Sequence, residues 1–354
     1  MTETEEKIVK PLLDWYAAKK RPLPWRESPD PYRVWVSEIM LQQTRIETVI
    51  GYYARFIARL PDIRALAEVG DEELMKLWEG LGYYSRARNL KKAAVMIVER
   101  FGGVFPARYE DILSLPGVGE YTAGAIASIA FGEPRAAVDG NVIRVMSRLT
   151  ESDAPVGDPG RKKALAAALS AVMPAGRCGE LNEALMELGE TVCLPSGAPL
   201  CGECPLFTLC LSGRDGSWAR YPVPAPKKAR KKEQYTLFLL SCGEYVAVRR
   251  RGEGLLGGLW ELPNVAGTLG EAEALALLTR WGLKPKKLAP SRSGTHIFTH
   301  IEWEMTSFYA ECEEKASGEG LRWVTRAELS SLALPTAFRK FCGGFDDRSL
   351  YSPR

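Results

Sequence analysis

The chain has 354 residues, 46% hydrophobic and 26% charged, with a formal net charge of +3. That length suits two domains, and the composition excludes wholesale disorder and a collagen-like repeat. No run approaches the ~18 consecutive apolar residues of a membrane helix. The acidic opening MTETEEKIVK does not read as a secretory or transit signal, so a cytoplasmic protein is expected.

The charge is unevenly placed. Residues 1–220 carry 27 Lys and Arg against 29 Asp and Glu, and the remainder carries 20 against 15. A global basic field is therefore no basis for nucleic-acid binding, which would need local phosphate contacts.

Helical periodicity runs from Glu6 to about Arg220. Asp30–Pro31 reads as an N-cap with proline at the first helical position, and Val36, Ile39 and Met40 give that helix an apolar face. Thr44-Arg45-Ile46-Glu47 has the pattern of a capping box, continued by Val49, Ile50, Tyr53, Ile57 and Leu60. Gln42–Gln43 then falls at a break between two helices. Further helices are predicted over Asp71–Glu79, Ser85–Phe101, Tyr109–Leu115, Glu120–Ala130, Val142–Leu149, Arg161–Met173 and Leu181–Val192, with no strand in this region.

Between two of these helices stands Leu115-Pro116-Gly117-Val118-Gly119. Two glycines permit a tight turn that leaves backbone N–H groups bare at a helix N-terminus, a geometry that cradles phosphate. The simpler alternative is a plain helix–helix turn. Two carboxylates also stand out. Glu38 lies near a helix end among apolar residues, and Asp139 precedes Gly140-Asn141 where it can cap the next helix. Taken singly they read as a surface acid and a cap. Taken together they make an acid raised by an apolar pocket and a carboxylate held by amides, the pair used in glycoside cleavage through an oxocarbenium-like transition state.

Four of the eight cysteines, Cys193, Cys201, Cys204 and Cys210, fall in one short stretch with spacing C-x7-C-x2-C-x5-C. A cytosolic chain rarely spends cysteines on disulfides, so a sulfur cage for zinc or a [4Fe–4S] cluster is expected. Cys178, Cys242, Cys312 and Cys342 are isolated and read as ordinary thiols.

Residues 221–234, YPVPAPKKARKKEQ, read as a semi-extended tether whose basic run is either solvated or a nonspecific phosphate contact. From Tyr235 the period switches to two. YTLFLLSC, Gly243–Glu244 and YVAVRRR form a predicted hairpin, Glu271–Trp281 a helix, and Ile301, Trp303 and Met305 a half-buried strand. The expected architecture is a helical domain over 1–220, a Pro/Lys-rich linker over 221–234 and a mixed α and β domain over 235–354.

These motifs carry a resemblance. LPGVGEYTAGAI, VDGNVIRV and the four-cysteine cluster resemble the helix-hairpin-helix DNA glycosylase superfamily. PLPWR, SEIMLQQTR, GLGYYSRARNL and NEALMELG are similar to the MutY-type adenine DNA glycosylases, and GLLGGLWELPN and HIFTH resemble that family's Nudix-like C-terminal domain. Two departures are the seven residues, Leu194 to Leu200, between the first two cluster cysteines where the family has six, and Thr299 where some relatives carry serine.

The resemblance implies an enzyme that flips adenine, mispaired with 8-oxoguanine or guanine, out of double-stranded DNA and hydrolyses its glycosidic bond. It implies Glu38 as proton donor, Asp139 as oxocarbenium stabiliser or trap, and Asn141 and Tyr121 as their supports. Arg26 and Glu183 would line the adenine pocket, and Gln43, Leu81 and Tyr83 would wedge the duplex. Phe298, Thr299 and His300 would read 8-oxoguanine, while Gly117, Val118 and Gly119 would grip phosphate. Cys193, Cys201, Cys204 and Cys210 would hold a [4Fe–4S] cluster in a monomeric, nucleoid-associated protein without membrane contact.

Three competing functions are weighed by their residues. A strand-nicking relative of the endonuclease III type needs a lysine for its Schiff base, where this chain has Tyr121. A Nudix hydrolase needs REx2EExG on its metal helix, where Leu277 and Leu278 replace carboxylates. A non-enzymatic iron–sulfur DNA-binding protein would not need Glu38 or Asp139.

Overall fold

The computed structural model describes residues 2–225, 229–252 and 254–345. By its internal contacts the chain forms two compact units: Met1–Val69 with Arg88–Pro226, and Gly70–Ala87 with Lys227–Arg354. Among the described residues no helix is long and apolar enough to cross a membrane.

The first unit is built from α1 (Thr2–Lys19), α2 (Pro31–Leu41), α3 (Ile46–Arg59) and α4 (Ile63–Glu68). After α5 (Asp71–Leu77), which belongs to the second unit, α6 (Ser85–Phe101) returns the chain to the first. There follow α7 (Tyr109–Leu113), α8 (Glu120–Phe131), α9 (Gly140–Thr150), α10 (Pro159–Ala171), α11 (Cys178–Thr191) and α12 (Leu211–Asp215). Ile8, Leu12, Val142, Met146, Leu181, Leu185 and Leu188, from α1, α9 and α11, meet in one apolar cluster, and Cys193, Cys204 and Cys210 pack against its edge.

Local chemistry sets most of the ends. Asp30 caps α2, its carboxylate accepting from Arg33 N at 2.9 Å with Pro31 in the first turn. Residues Val34 to Met40 are all buried, so α2 is sunk in the unit rather than laid on its surface. The capping box expected at Thr44 does not form. Arg45, one residue later than expected, is the N-cap of α3 without a side-chain bond, and the Thr44 hydroxyl donates to Gln42 O at 3.4 Å. The helix predicted over Asp71–Glu79 stops at Leu77, and those predicted at Val142 and Leu181 start earlier, at Gly140 and Cys178.

The second unit holds β1 (Lys231–Cys242), β2 (Tyr245–Arg250), β3 (Trp260–Glu261), β4 (Asn264–Ala266), α13 (Glu271–Arg280), β5 (Pro285–Ile297), β6 (Ile301–Cys312), β7 (Leu321–Thr325), α14 (Arg326–Ser331) and α15 (Thr336–Cys342). The strands form one mixed sheet in the order β3-β2-β1-β6-β5, with β4 on β1 and β7 on β2. The two-residue turn at Gly243–Glu244 sets Cys242 opposite Tyr245. Alternation sorts β1 and β6 to two faces. Leu237, Leu239, Trp303 and Met305 pack with Phe338 and Phe341 of α15, while Phe238, Leu240, Phe308 and Ala310 pack with Ala274 and Leu278 of α13.

Two expectations change here. The segment read as a linker is structured at both ends. Tyr221 is buried, Val223 O accepts from Val156 N at 3.0 Å, and Lys231–Gln234 already belong to β1, paired in parallel with β6. Residues 226–228 of that segment lie outside the described residues. Its basic charge is partly neutralised, Lys231 by Glu233 at 2.8 Å and Lys232 by Glu304 at 3.1 Å. Cys312 is a free, buried thiol, pushed up to about 11 by burial and then by the nearby Cys242.

Candidate active site and its supporting loops

Glu38 lies on the buried α2, 6% exposed, and accepts from the Tyr121 hydroxyl at 2.7 Å. Tyr121 comes from the first turn of α8, and its hydroxyl also meets Met186 Sδ at 3.2 Å. Burial is the largest influence on Glu38. It outweighs the Tyr121 hydrogen bond, which favours the carboxylate, and with the charges of Asp139 and Glu183 it pushes the carboxyl up to about 7. Arg26 opposes this rise.

Asp139 is the N-cap of α9. Its Oδ1 accepts from Val142 N at 2.8 Å and its Oδ2 from Asn141 Nδ2 at 2.9 Å. Burial raises its carboxyl above the usual range despite these donors and Arg144. Asp139 acts on both Glu38 and Tyr121 electrostatically, so the two carboxyl groups lie within charge–charge reach of one another. The close approach of α11 to this cap needs Gly189, where a Cβ would fall 2.5 Å from the Asn141 Cβ.

Arg26 and Glu183 also meet, Nε to Oε1 at 3.1 Å, and the guanidinium carbon stands 5.4 Å from the Tyr16 ring centroid. Burial raises the Glu183 carboxyl against the pull of Arg26. Sequence reasoning missed the group that holds this pair. Glu187, one helical turn beyond Glu183, accepts from Arg26 Nη2 at 2.9 Å and Arg21 Nε at 2.6 Å. Burial would raise Glu187, but the two arginines together hold it below the usual carboxylate range. The i, i+4 spacing of Glu183 and Glu187 opposite two arginines in RPLPWR was the available signal.

Arg144 was missed as well, although it lies inside VDGNVIRV. It donates to Asn141 Oδ1 at 2.7 Å, Gly189 O at 2.9 Å and Cys193 O at 2.8 Å, joining the α9 cap to the first residue of the cysteine loop. One turn on, Arg148 reaches Cys193 Sγ at 3.3 Å and Leu194 O at 2.9 Å.

Cys193, Cys201, Cys204 and Cys210 all line one apolar hollow, and Gly213 N donates to Cys210 Sγ at 3.3 Å. Burial is the main cause raising the thiols of Cys201, Cys204 and Cys210, with Cys204 pushed up to about 12. Among the described residues no group of three or more His, Cys, Asp or Glu side chains is arranged to hold a single metal ion. The hollow with four sulfurs on its wall and N–H donors on two of them fits a bulkier iron–sulfur group by donor chemistry.

At the glycine hairpin, Gly117 has φ 78°, and a Cβ there would come 2.6 Å from the Asn89 Cβ. Gly119 is the N-cap of α8. The expectation of three bare amides holds less well at Val118, whose side chain is buried and whose N–H is spent on Leu115 O at 3.1 Å.

The three expected wedge residues fare differently. Gln43, at φ 57° in the α2–α3 break, is exposed, and Tyr83, at φ 45°, is 45% exposed. Leu81 is only 5% exposed and sits in the packing, so its projection is not part of the described conformation. Within the second unit the Tyr83 hydroxyl hydrogen-bonds the Thr299 hydroxyl. Thr299 and His300 are exposed at the β5–β6 turn, whereas Phe298 is held from both sides, 4.6 Å from His296 and 4.8 Å from Trp303 between ring centroids.

Residues 36–170 match the model of the HhH-GPD superfamily of base excision DNA repair proteins, and residues 235–343 match the NUDIX domain. The chain is 34% identical to the adenine DNA glycosylase of Homo sapiens, over 93% of this chain and 72% of that protein. It is 36% identical to that of Rattus norvegicus, over 93% and 76%. It is 33% identical to that of Buchnera aphidicola subsp. Baizongia pistaciae, over 82% of each. Among solved structures, a thermostable thymine-DNA glycosylase superposes with a TM-score of 0.53 at 29% identity, covering 60% of this chain and 98% of that one. With these matches over a helical unit carrying paired carboxyls and a Nudix-like unit, the chain belongs to the adenine DNA glycosylase family.

Proposed function

We propose that this enzyme removes adenine paired with 8-oxoguanine or guanine, without cutting the strand, through acid-assisted departure of the base. The observation that carries the reading is the Glu38–Tyr121–Asp139–Asn141 group. With the adenine flipped from the stack, protonated Glu38 gives its proton to N7, and the base leaves with the electrons of the glycosidic bond. A carboxyl at about 7 keeps a useful protonated fraction at neutral pH. Asp139, fixed by Val142 N and Asn141, faces the positive charge that develops on the sugar, and that charge favours its ionised form. Water then adds at C1′, and the Glu38 carboxylate takes its proton. Arg26 and Glu183 present a donor and an acceptor side by side, matched to N1 and the N6 amine of adenine. Tyr121 in the position of the lyase lysine favours a monofunctional enzyme.

In the same reading the protein works as a monomer in the cytoplasm at the nucleoid. Gly117 and Gly119 grip a phosphate. Gln43 and Tyr83 enter the duplex, and Thr299 and His300 read the opposite base with Phe298 as their footing. Cys193, Cys201, Cys204 and Cys210 would hold a [4Fe–4S] cluster, which when bound ties the loop after α11 to the end of α9. The deciding experiment is excision from duplexes carrying adenine opposite 8-oxoguanine, guanine, cytosine or thymine. Equal rates on all four would refute the opposite-base reading, and a purified protein without visible iron–sulfur absorption would refute the cluster.

A further inference from the structure

We infer that Arg86 is a positioning residue for Tyr83, its buried guanidinium holding the Leu81-Gly82-Tyr83 turn so that the tyrosine ring projects. The inference rests on the reading of Tyr83 as a duplex wedge. The turn between α5 and α6 is an unusual piece of backbone: Gly80, Gly82 and Tyr83 all have positive φ, at 102°, 70° and 45°. A tyrosine does not adopt that conformation unaided. Left to itself the segment would relax, and the ring would fold back.

The Tyr83–Thr299 hydroxyl bond holds the tip of the ring, and Arg86 braces the backbone of the turn against this relaxation. Its side chain enters the turn from the first helical turn of α6. Nη2 donates to Leu81 O at 2.8 Å and Gly82 O at 3.3 Å, while its own backbone N donates to Tyr83 O at 2.8 Å. Three successive carbonyls therefore end on one residue. Trp78 adds a bond from Nε1 to Gly82 O at 3.1 Å. The guanidinium carbon lies 5.2 Å from the Trp78 ring centroid and 5.8 Å from that of Tyr83. Arg86 is 8% exposed, against 45% for Tyr83, so the charge sits beneath the ring and away from solvent. A planar fork suits this place, and the single ammonium of lysine cannot span two carbonyls and stack on two rings at once.

The test is single-turnover excision by the full-length enzyme on a duplex with adenine opposite 8-oxoguanine. A 2-aminopurine beside the 8-oxoguanine reports local unstacking, and Arg86→Lys, Tyr83→Ala and the double variant are compared. We expect Arg86→Lys to slow excision about tenfold and to blunt the fluorescence rise, as a coupled pair does. The double variant should be no slower than Tyr83→Ala alone. Gly82→Ala, whose Cβ would meet nothing within 4 Å but sits at φ +70°, should reproduce the Arg86→Lys defect with the guanidinium intact. This second variant keeps the question answerable if Arg86→Lys folds poorly. Losses that multiply in the double variant would overturn the role of Arg86 and leave the wedge standing. A Tyr83→Ala enzyme with unchanged excision and fluorescence would overturn the wedge, and this inference with it.

Discussion

The pocket of the first unit and the exposed loops of the second solve opposite problems. In the pocket, Glu38 is 6% exposed and its hydrogen-bond donor comes from a neighbouring helix, so its proton affinity is set by what excludes water. At the β5–β6 turn, Thr299 and His300 are exposed, with the Thr299 hydroxyl bonded to that of Tyr83 and the flanking Phe298 clamped between two rings. Acid catalysis needs a desolvated group whose electrostatics are fixed before substrate arrives. Reading an opposite base needs donors and acceptors at the surface of a braced scaffold. The two regions should therefore respond to mutation in different currencies, rate in the first and discrimination in the second.

The comparison breaks most sharply at Glu38. Glu38→Gln should cut excision by roughly 10²–10⁴-fold while DNA affinity by titration is retained. Lost binding alongside lost rate would mean that the pocket is a recognition site instead. Asp139→Asn should follow, with a loss of about 10²–10³-fold. The amide still offers an oxygen to Val142 N, so circular dichroism should show α9 intact.

The pH dependence sharpens the same contrast. Excision needs protonated Glu38, so its rate should fall as pH rises through about 7, and the fall should vanish in Glu38→Gln. Stability obeys the same sign. The folded carboxyl lies above its usual 4.5, so its contribution is complete below 4.5 and is lost as pH rises toward about 7. Tyr121→Phe removes a donor to the ionised form, so the falling limb should move to higher pH. A limb moving to lower pH would show that Tyr121 acts otherwise. The smallest effect belongs to the second unit. Thr299→Ala should change the preference for 8-oxoguanine over guanine about five- to tenfold, the worth of roughly 1–1.5 kcal/mol for one hydrogen bond, and leave the pH profile untouched.

Much of the candidate site was legible because several of its residues sit near helix ends, where the sequence announces itself. Asp139 before Gly140-Asn141 is a cap by composition, and a cap by geometry. Residues Ser85–Phe101 carry their own start and stop, and α6 has those bounds. What escaped depends on partners far away in sequence. Arg144 looks like any helix-face arginine until α11 and the cysteine loop arrive against it. Leu81 belongs to a plausible exposed turn, yet the packing around it decides that it is buried. Strand β5 has no clean alternation because it lies at the sheet edge, and its mixture of Pro, Lys, Ser and Arg does not read as a strand. The parallel pairing of β1 with β6 carries no local signal, since the two strands are joined through everything between them.

The assignment of Gly70–Ala87 to the second unit has a practical corollary for anyone cloning fragments of this gene. Lys76 Nζ donates to Ser330 O at 2.7 Å, and Leu334 N donates to Glu79 Oε1 at 3.0 Å, so this early stretch meets some of its neighbours late in translation. On the ribosome it emerges long before them and must wait. A truncation ending near residue 226 would strand it, and limited proteolysis should nick such a fragment between Gly70 and Ala87 first.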